Sequence, residues 1–128
     1  MSFLDKLFKR KAREKIPEPP SWDTVVEMMY DKELDCFIHD VVKVIYSNDK
    51  SKRYVILKKE NGLLTYQLEE IYQYDEAEWA YICLHDNALP AKWVPSAYNT
   101  AKSVFENTTD LLNELKSEAE YKSYFGWL

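Results

Sequence analysis

The apolar residues that follow residue 21 have helical spacing. Four apolar side chains then follow the i, i+3, i+4, i+7 pattern of one helical face, which predicts a helix over about residues 22–30. Ser21 directly precedes this pattern and can act as its N-cap. The apolar positions of this face are Trp22, Val25, Val26 and Met29.

The middle of the chain changes to the period of two that is typical of strands. β-Branched residues become frequent over residues 36–46, and four large apolar side chains share one strand face. Asp40 falls on the same face, so this strand is expected to carry a bend or to end half-exposed. The apolar positions of the face are Ile38, Val42, Val44 and Tyr46.

A β-hairpin is the clearest local prediction. Asn61-Gly62 separates two alternating segments and favours a two-residue type I′ turn. That turn would place Glu60 opposite Leu63, and counting outward places Arg53 opposite Glu70. The apolar face of the hairpin would then comprise Val55, Leu57, Leu64, Tyr66 and Leu68.

Two further segments are candidates for the sheet. Alternation resumes with Trp79, Tyr81 and Cys83, which predicts a fourth strand over about residues 78–85. Residues 88–95 can supply a short edge segment, because prolines within a strand are tolerated only at the edge of a sheet.

The C-terminal part is predicted to be helical. Asn107 can cap one helix, and the pair Ser117 and Glu120 has the spacing of a capping box for a second helix that Gly126 would end. The predicted fold class is therefore α+β. We expect an antiparallel meander of four to five strands, covered on one face by the C-terminal helices and by the helix near residues 22–30.

The first residues form a basic amphipathic segment. Ser2 and Asp5 match a capping box, and an apolar stripe with following lysines and arginines predicts a short helix over about residues 3–14. Three prolines between residues 17 and 20 would stop this helix. The predicted organisation is a basic arm at 1–16, a Pro-rich linker at 17–21 and a single α+β domain at 22–128. The apolar stripe consists of Phe3, Leu4, Leu7 and Phe8.

Few catalytic classes fit the chain. It has only two glycines, in separate places, so no glycine-rich loop can cradle a phosphate, and the chain contains no nucleophile elbow, zinc-protease or calcium-loop motif. We therefore expect a protein that is not an enzyme and needs no cofactor. The sequence also lacks the features of a secretory signal or a membrane span, which predicts a cytoplasmic protein with Cys36 and Cys83 as reduced thiols.

Four residues of the chain are soft metal ligands. Their spacings, Cys-x2-His and Cys-x-His, are compatible with zinc. Residues three apart on a strand point to opposite faces, however, so one member of the first pair would have to lie at a turn. We therefore expect no metal site. The four residues are Cys36, His39, Cys83 and His85.

Two His-Asp dipeptides offer an alternative in which the protein is a small enzyme or a ligand-binding domain. His39-Asp40 and His85-Asp86 would supply its acid–base groups. Neighbouring side chains on a strand face in opposite directions, which prevents simple pairing within either dipeptide.

The charges are separated along the chain. Residues 1–15 hold six basic and two acidic residues, a balance of +4, whereas residues 16–128 hold 11 basic and 20 acidic residues, a balance of −9. The anionic body should repel nucleic acid, so we expect no nucleic-acid partner. The arm can dock on the body or on a neighbour, and residues 2–15 are also compatible with weak contact to an anionic membrane surface, as in a membrane-surface adaptor.

Residues 69–79 concentrate negative charge and aromatic side chains without one basic residue. Carboxylates accelerate the approach of a cationic partner, and tyrosine and tryptophan supply buried anchors. The sequence therefore favours an interaction protein that binds a basic protein, most concretely an immunity or antitoxin type that neutralises a cationic toxin. The expected partner-binding residues are Glu69, Glu70, Tyr72, Tyr74, Asp75, Glu76, Glu78 and Trp79.

Overall fold

The computed structural model describes residues 17–84, 89–98 and 104–125. The predicted N-terminal helix over residues 3–14, His85, Asp86 and Gly126 lie outside these ranges. The described residues form four helices and four strands. In chain order they are α1 (Trp22–Met29), β1 (Asp40–Tyr46), β2 (Lys52–Lys58), β3 (Leu64–Gln73), α2 (Glu76–Ile82), β4 (Ala91–Pro95), α3 (Thr108–Ser117) and α4 (Ala119–Tyr124).

The strands form one antiparallel meander in the order β1-β2-β3-β4. This arrangement confirms the predicted α+β class and the four-stranded sheet. The fourth strand, β4, ends at Pro95. It lies at one edge of the sheet, which is where a proline is tolerated.

The predicted hairpin is present, but its predicted register is wrong by one residue. Lys59 N–H donates to Leu63 O at 2.8 Å, so these two residues face each other and three residues form the loop. Gly62 has φ +85°, whereas Asn61 is not among the residues with positive φ. A type I′ turn needs positive φ at both central residues, so the chain forms a three-residue loop instead. Arg53 consequently lies opposite Glu69, not Glu70.

The corrected register also changes which β2 residues share a face with β3. Tyr54 and Ile56, not Val55 and Leu57, lie opposite Leu68 and Tyr66. Helices α3 and α4 cover this face, and together they enclose the larger core cluster. Its buried members are Tyr54, Ile56, Leu64, Tyr66, Leu68, Leu111, Leu115 and Phe125.

Helix α1 lies on the opposite face of the sheet from the C-terminal helices, rather than sharing their face. Ser21 caps it as predicted, accepting the Thr24 N–H at 3.4 Å. Its apolar stripe packs on the part of the sheet formed by β3 and β4, and the result is a second, smaller core cluster. The buried members of this cluster are Val25, Val26, Met29, Ile71, Ala91 and Trp93.

Strand β1 is shorter and less regular than its sequence pattern predicts. Its pairing with β2 shifts between Val41 and Lys43, so Val42 is the extra residue of a β-bulge. Ile38 precedes the strand and is 98% exposed. The two residues therefore do not share an apolar face with Val44 and Tyr46, although the expected bend is confirmed.

The strand predicted over residues 78–85 is wrong, because Glu76–Ile82 form helix α2. Asp75 is its N-cap, and Glu78 completes a capping box with it. Glutamate and alanine favour helices, and acidic residues in a first turn interact well with the helix dipole. These local preferences outweigh the alternation of large side chains.

The C-terminal helices agree only in part with their predicted caps. Asn107 caps α3 as predicted, accepting the Asp110 N–H at 2.9 Å. Ser117 is the last residue of α3 and donates to Glu114 O, so the predicted second capping box is wrong. Glu118 occupies the N-cap position of α4 without a capping hydrogen bond from its side chain.

The carboxylate of Glu118 accepts hydrogen bonds from the sheet instead. Tyr54 Oη donates to Glu118 Oε2 at 2.8 Å, and Tyr66 Oη donates to Glu118 Oε1 at 2.6 Å. Burial, followed by these hydrogen bonds to a negative group, raises the pKa of both phenols well above 10. One carboxylate thus fastens the junction of α3 and α4 to two neighbouring strands.

This arrangement predicts a loss of stability at alkaline pH. Phenols of the unfolded chain ionise near pH 10, whereas Tyr54 and Tyr66 stay neutral in the folded protein. The stabilisation is therefore fully present below pH 10 and is lost as pH rises above it, by up to about 1.4 kcal/mol per pH unit for each tyrosine. Urea unfolding at a series of pH values measures this slope. Tyr54→Phe should reduce this slope by about half, because Tyr66 still contributes, and Tyr98→Phe, at an exposed position, should leave it unchanged.

Candidate functional site

The end of β3 and the start of α2 bring most of the predicted partner-binding residues together. Tyr72 and Tyr74 flank the last residue of β3, and their rings meet edge to face with centroids 6.0 Å apart. Asp75 follows at once and starts the helix. We call the set the acidic–aromatic face. Its members are Tyr72, Tyr74, Asp75, Glu76, Glu78 and Trp79.

Glu78 fixes the geometry of this face. Its Oε1 accepts the Tyr72 hydroxyl at 2.7 Å and the Asp75 N–H at 3.0 Å, and its own N–H donates to Asp75 Oδ1 at 2.8 Å. The hydrogen bond to this carboxylate raises the pKa of Tyr72, with smaller contributions from desolvation and nearby negative charge. Both carboxylates are therefore held in place before any partner arrives.

Glu76 differs from its two acidic neighbours. It is exposed in the first turn of α2 and forms no hydrogen bond or ion pair with any residue in the described ranges. Its charge is therefore not compensated within the described ranges. Of the three carboxylates of the face, Glu76 is the one whose replacement should leave the local structure unchanged.

The Pro-rich linker runs against this face. The half-buried Trp79 donates its indole N–H to Pro17 O at 2.8 Å, and Gln73 donates to Pro20 O at 3.5 Å. The two contacts fix both ends of residues 17–20 beside β3 and α2. The sequence alone did not indicate them, because a tryptophan N–H can donate to any accessible carbonyl.

Glu69 was expected on this surface, and the structure places it in the interior. It is 4% exposed, and its Oε1 accepts from Arg53 Nε at 2.8 Å while its Oε2 accepts from Gln67 at 3.0 Å. The fully buried Arg53 also donates to Lys32 O at 2.7 Å. Glu69 is thus tied to a cation, cannot meet a partner and does not belong to the acidic–aromatic face.

Glu70 lies on the same side of the sheet as Tyr72, but its charge is paired with a lysine. Successive side chains of a strand point to opposite sides, so it lies on the other side of the sheet from Glu69. It is partly exposed and forms an ion pair with Lys52 Nζ at 3.2 Å. A partly exposed pair of this kind contributes little stability, but it neutralises the charge locally.

The surroundings of the face are mixed in charge. Lys92 Nζ lies 5.4 Å from the ring centroid of Tyr72, so a cation borders the surface although none occurs within residues 69–79. Burial, and then the negative charges of Glu33 and Glu78, raise the pKa of Tyr74. Glu33 therefore adds to the negative potential from the loop after α1, as its charge suggested.

The alternative site residues do not assemble among the described parts of the chain. Cys36 is exposed and donates to Glu33 O at 3.2 Å, and His39 is half-buried just before β1. Cys83 caps the end of α2, and its partners His85 and Asp86 lie outside the described ranges. In residues 17–84, 89–98 and 104–125, no group of three or more acidic, histidine or cysteine side chains is arranged to hold a metal ion.

None of the helices in the described ranges combines the length and the apolar character that crossing a bilayer demands. Comparison of the chain with protein-family models, with curated proteins and with solved structures gave no match. Function is therefore inferred from the geometry of the acidic–aromatic face and from the charge of the chain.

The different roles of the two helical carboxylates can be separated by alanine substitution. Glu78→Ala should lower the free energy of unfolding by about 1 kcal/mol, because it removes half of the capping box. Glu76→Ala should change it by less than about 0.5 kcal/mol. The pKa of Tyr72, followed by NMR, should fall toward its ordinary value only in Glu78→Ala. Equal effects of the two substitutions would contradict the assigned roles.

Proposed function

We propose that this protein is a non-enzymatic, cytoplasmic interaction protein that binds a basic protein partner through its acidic–aromatic face. The observation that carries the proposal is the position of Glu76, an exposed carboxylate in a helical turn whose other two acids are fixed by hydrogen bonds. Preorganised charge needs little rearrangement on binding, which favours affinity.

The aromatic side chains supply the second half of the surface. Tyr72 is 40% exposed, and Trp79 is half-buried beside the linker. Tyrosine and tryptophan lose little conformational entropy when a partner covers them, and they are frequent among the residues that dominate binding energies. Tyr72 is held further by its hydrogen bond to Glu78. A cationic surface with an apolar centre is the complement of this arrangement.

The form of partner that fits best is a cationic toxin, such as a nuclease, with this protein as its immunity or antitoxin partner. A nuclease binds a polyanion through basic residues, and a carboxylate-bearing protein can occupy the same residues. The balance of −9 over residues 16–128 would steer such a partner toward the body at long range. The same negative charge disfavours nucleic acid itself as the ligand.

The proposal predicts that reversing one charge lowers the rate of association with the partner. The partner for this test is the most basic protein that the present protein captures from native cells, and it is purified before use. Glu76→Lys should slow the association of the two proteins roughly fivefold at an ionic strength of about 0.01 M. Surface plasmon resonance or stopped-flow fluorescence measures this rate. The effect should largely disappear near 1 M salt, where the Debye length is only about 3 Å.

The matched control is Glu60→Lys. Glu60 is an exposed carboxylate in the hairpin loop, at the opposite end of β3 from α2, and its replacement changes the net charge equally. Association should slow clearly less in this variant. Equal slowing by both variants would mean that only net charge matters, and no slowing by Glu76→Lys would remove the acidic–aromatic face from the binding site.

A further inference from the structure

The linker places the start of the body beside the acidic–aromatic face. Pro17 O accepts the indole N–H of Trp79, so the covalent neighbour of Pro17, residue 16, is attached at this surface. Gln73 holds the other end of the linker through Pro20 O. Residues 1–15 are thereby tethered to the side of the molecule that carries Asp75 and Glu76.

The charges of the two segments are opposite. Residues 1–15 carry a balance of +4, while residues 69–79 contain five carboxylates and no basic residue. One of those carboxylates, Glu69, is buried, and another, Glu70, is paired with Lys52. The remaining three are Asp75, Glu76 and Glu78. They lie at the first turn of α2, next to the tether.

Much of the surface of helix α2 is also left uncovered by the other described helices and strands. Ala80 is its only buried residue, and no other helix or strand in the described ranges packs extensively against it. The sequence of the arm offers an apolar stripe for such a surface, in Phe3, Leu4, Leu7 and Phe8, alongside its basic residues. The complementarity therefore includes apolar side chains as well as charge.

We propose that residues 1–15 dock on the acidic–aromatic face of the same molecule and occupy it until a partner displaces them. The displacement rests on the function proposed above, whereas the docking does not. A short tether gives the arm an effective concentration in the millimolar range, so weak contacts suffice. A second copy of the chain would have to reach similar concentrations to compete, which favours the segment of the same chain as the occupant.

Zero-length carbodiimide coupling tests the docking on the intact protein without any partner. The reagent joins a lysine amine to a carboxylate only where the two are in contact. Mass spectrometry should find amides from Lys9 and Lys11 to Glu76 at least about tenfold more often than to Asp23 at low salt. Asp23 is exposed in the first turn of α1, three residues after Pro20. Seven extended residues, from residue 16 to Lys9, span about 25 Å, so Asp23 is within reach, and preference for Glu76 reports docking rather than tether length.

Two controls define the outcome. A mixture of isotopically light and heavy protein should give products within one isotope only. Arg10→Glu combined with Arg13→Glu, which lowers the charge of the arm without removing a lysine, should reduce coupling to Glu76 to the level of Asp23. Coupling without preference, coupling mainly between light and heavy chains, or no coupling of the arm to α2 would overturn the proposal. None of these results depends on partner binding, so they are distinguishable from a failure of the proposed function.

Discussion

The α1 side of the structure depends on the contacts of one buried group, the guanidinium of Arg53. It pairs with Glu69 within the sheet, donates to Lys32 O and Glu33 O in the loop after α1, and lies 4.2 Å from the ring of Trp93. A buried charge of this kind is tolerated only when it is paired and its donors are satisfied. One side chain therefore joins β2, β3, β4 and the loop after α1.

The loop after α1 shows what this interaction holds in place. Asp31 and Glu33 both have positive φ, which costs non-glycine residues free energy unless surrounding contacts compensate. Tyr46 contacts the first residue twice, accepting the Asp31 N–H and donating to Asp31 Oδ1. Glu33 Oε1 accepts the Trp93 N–H at 2.9 Å and thereby satisfies a donor of edge strand β4. The loop thus brings the charge of Glu33 toward Tyr74.

The same pairing divides the acidic stretch into structural and available carboxylates. Because Glu69 neutralises Arg53 and Glu70 meets Lys52, the carboxylates of residues 69–79 without a cationic partner in the described parts of the chain are confined to the start of α2. There Glu78 and Asp75 hold each other, and Glu76 remains exposed. The candidate surface is therefore smaller than residues 69–79 suggest, but its charges are better ordered.

Local signals were readable from the sequence, and contacts between distant residues were not. Ser21 and Asn107 bond within three residues, so their caps were predictable. The capping box of Asp75 and Glu78 was equally local. The alternation of Trp79, Tyr81 and Cys83 has the period of a strand, however, and led to the wrong prediction for this segment. The pairing of Arg53 with Glu69 depended on a one-residue register set by the backbone of Gly62, a difference that residue types alone do not specify. The linker contact with Trp79 spans 62 positions and left no pattern at all.

The most direct measurement is a double-mutant cycle on Arg53 and Glu69 by urea unfolding. Arg53→Met alone should lower the free energy of unfolding by about 3–5 kcal/mol, because it leaves a buried carboxylate unpaired. Combining it with Glu69→Leu should recover part of that loss and give a coupling energy of about 2 kcal/mol or more. Additive effects of the two substitutions would show that the pair does not hold the α1 side together.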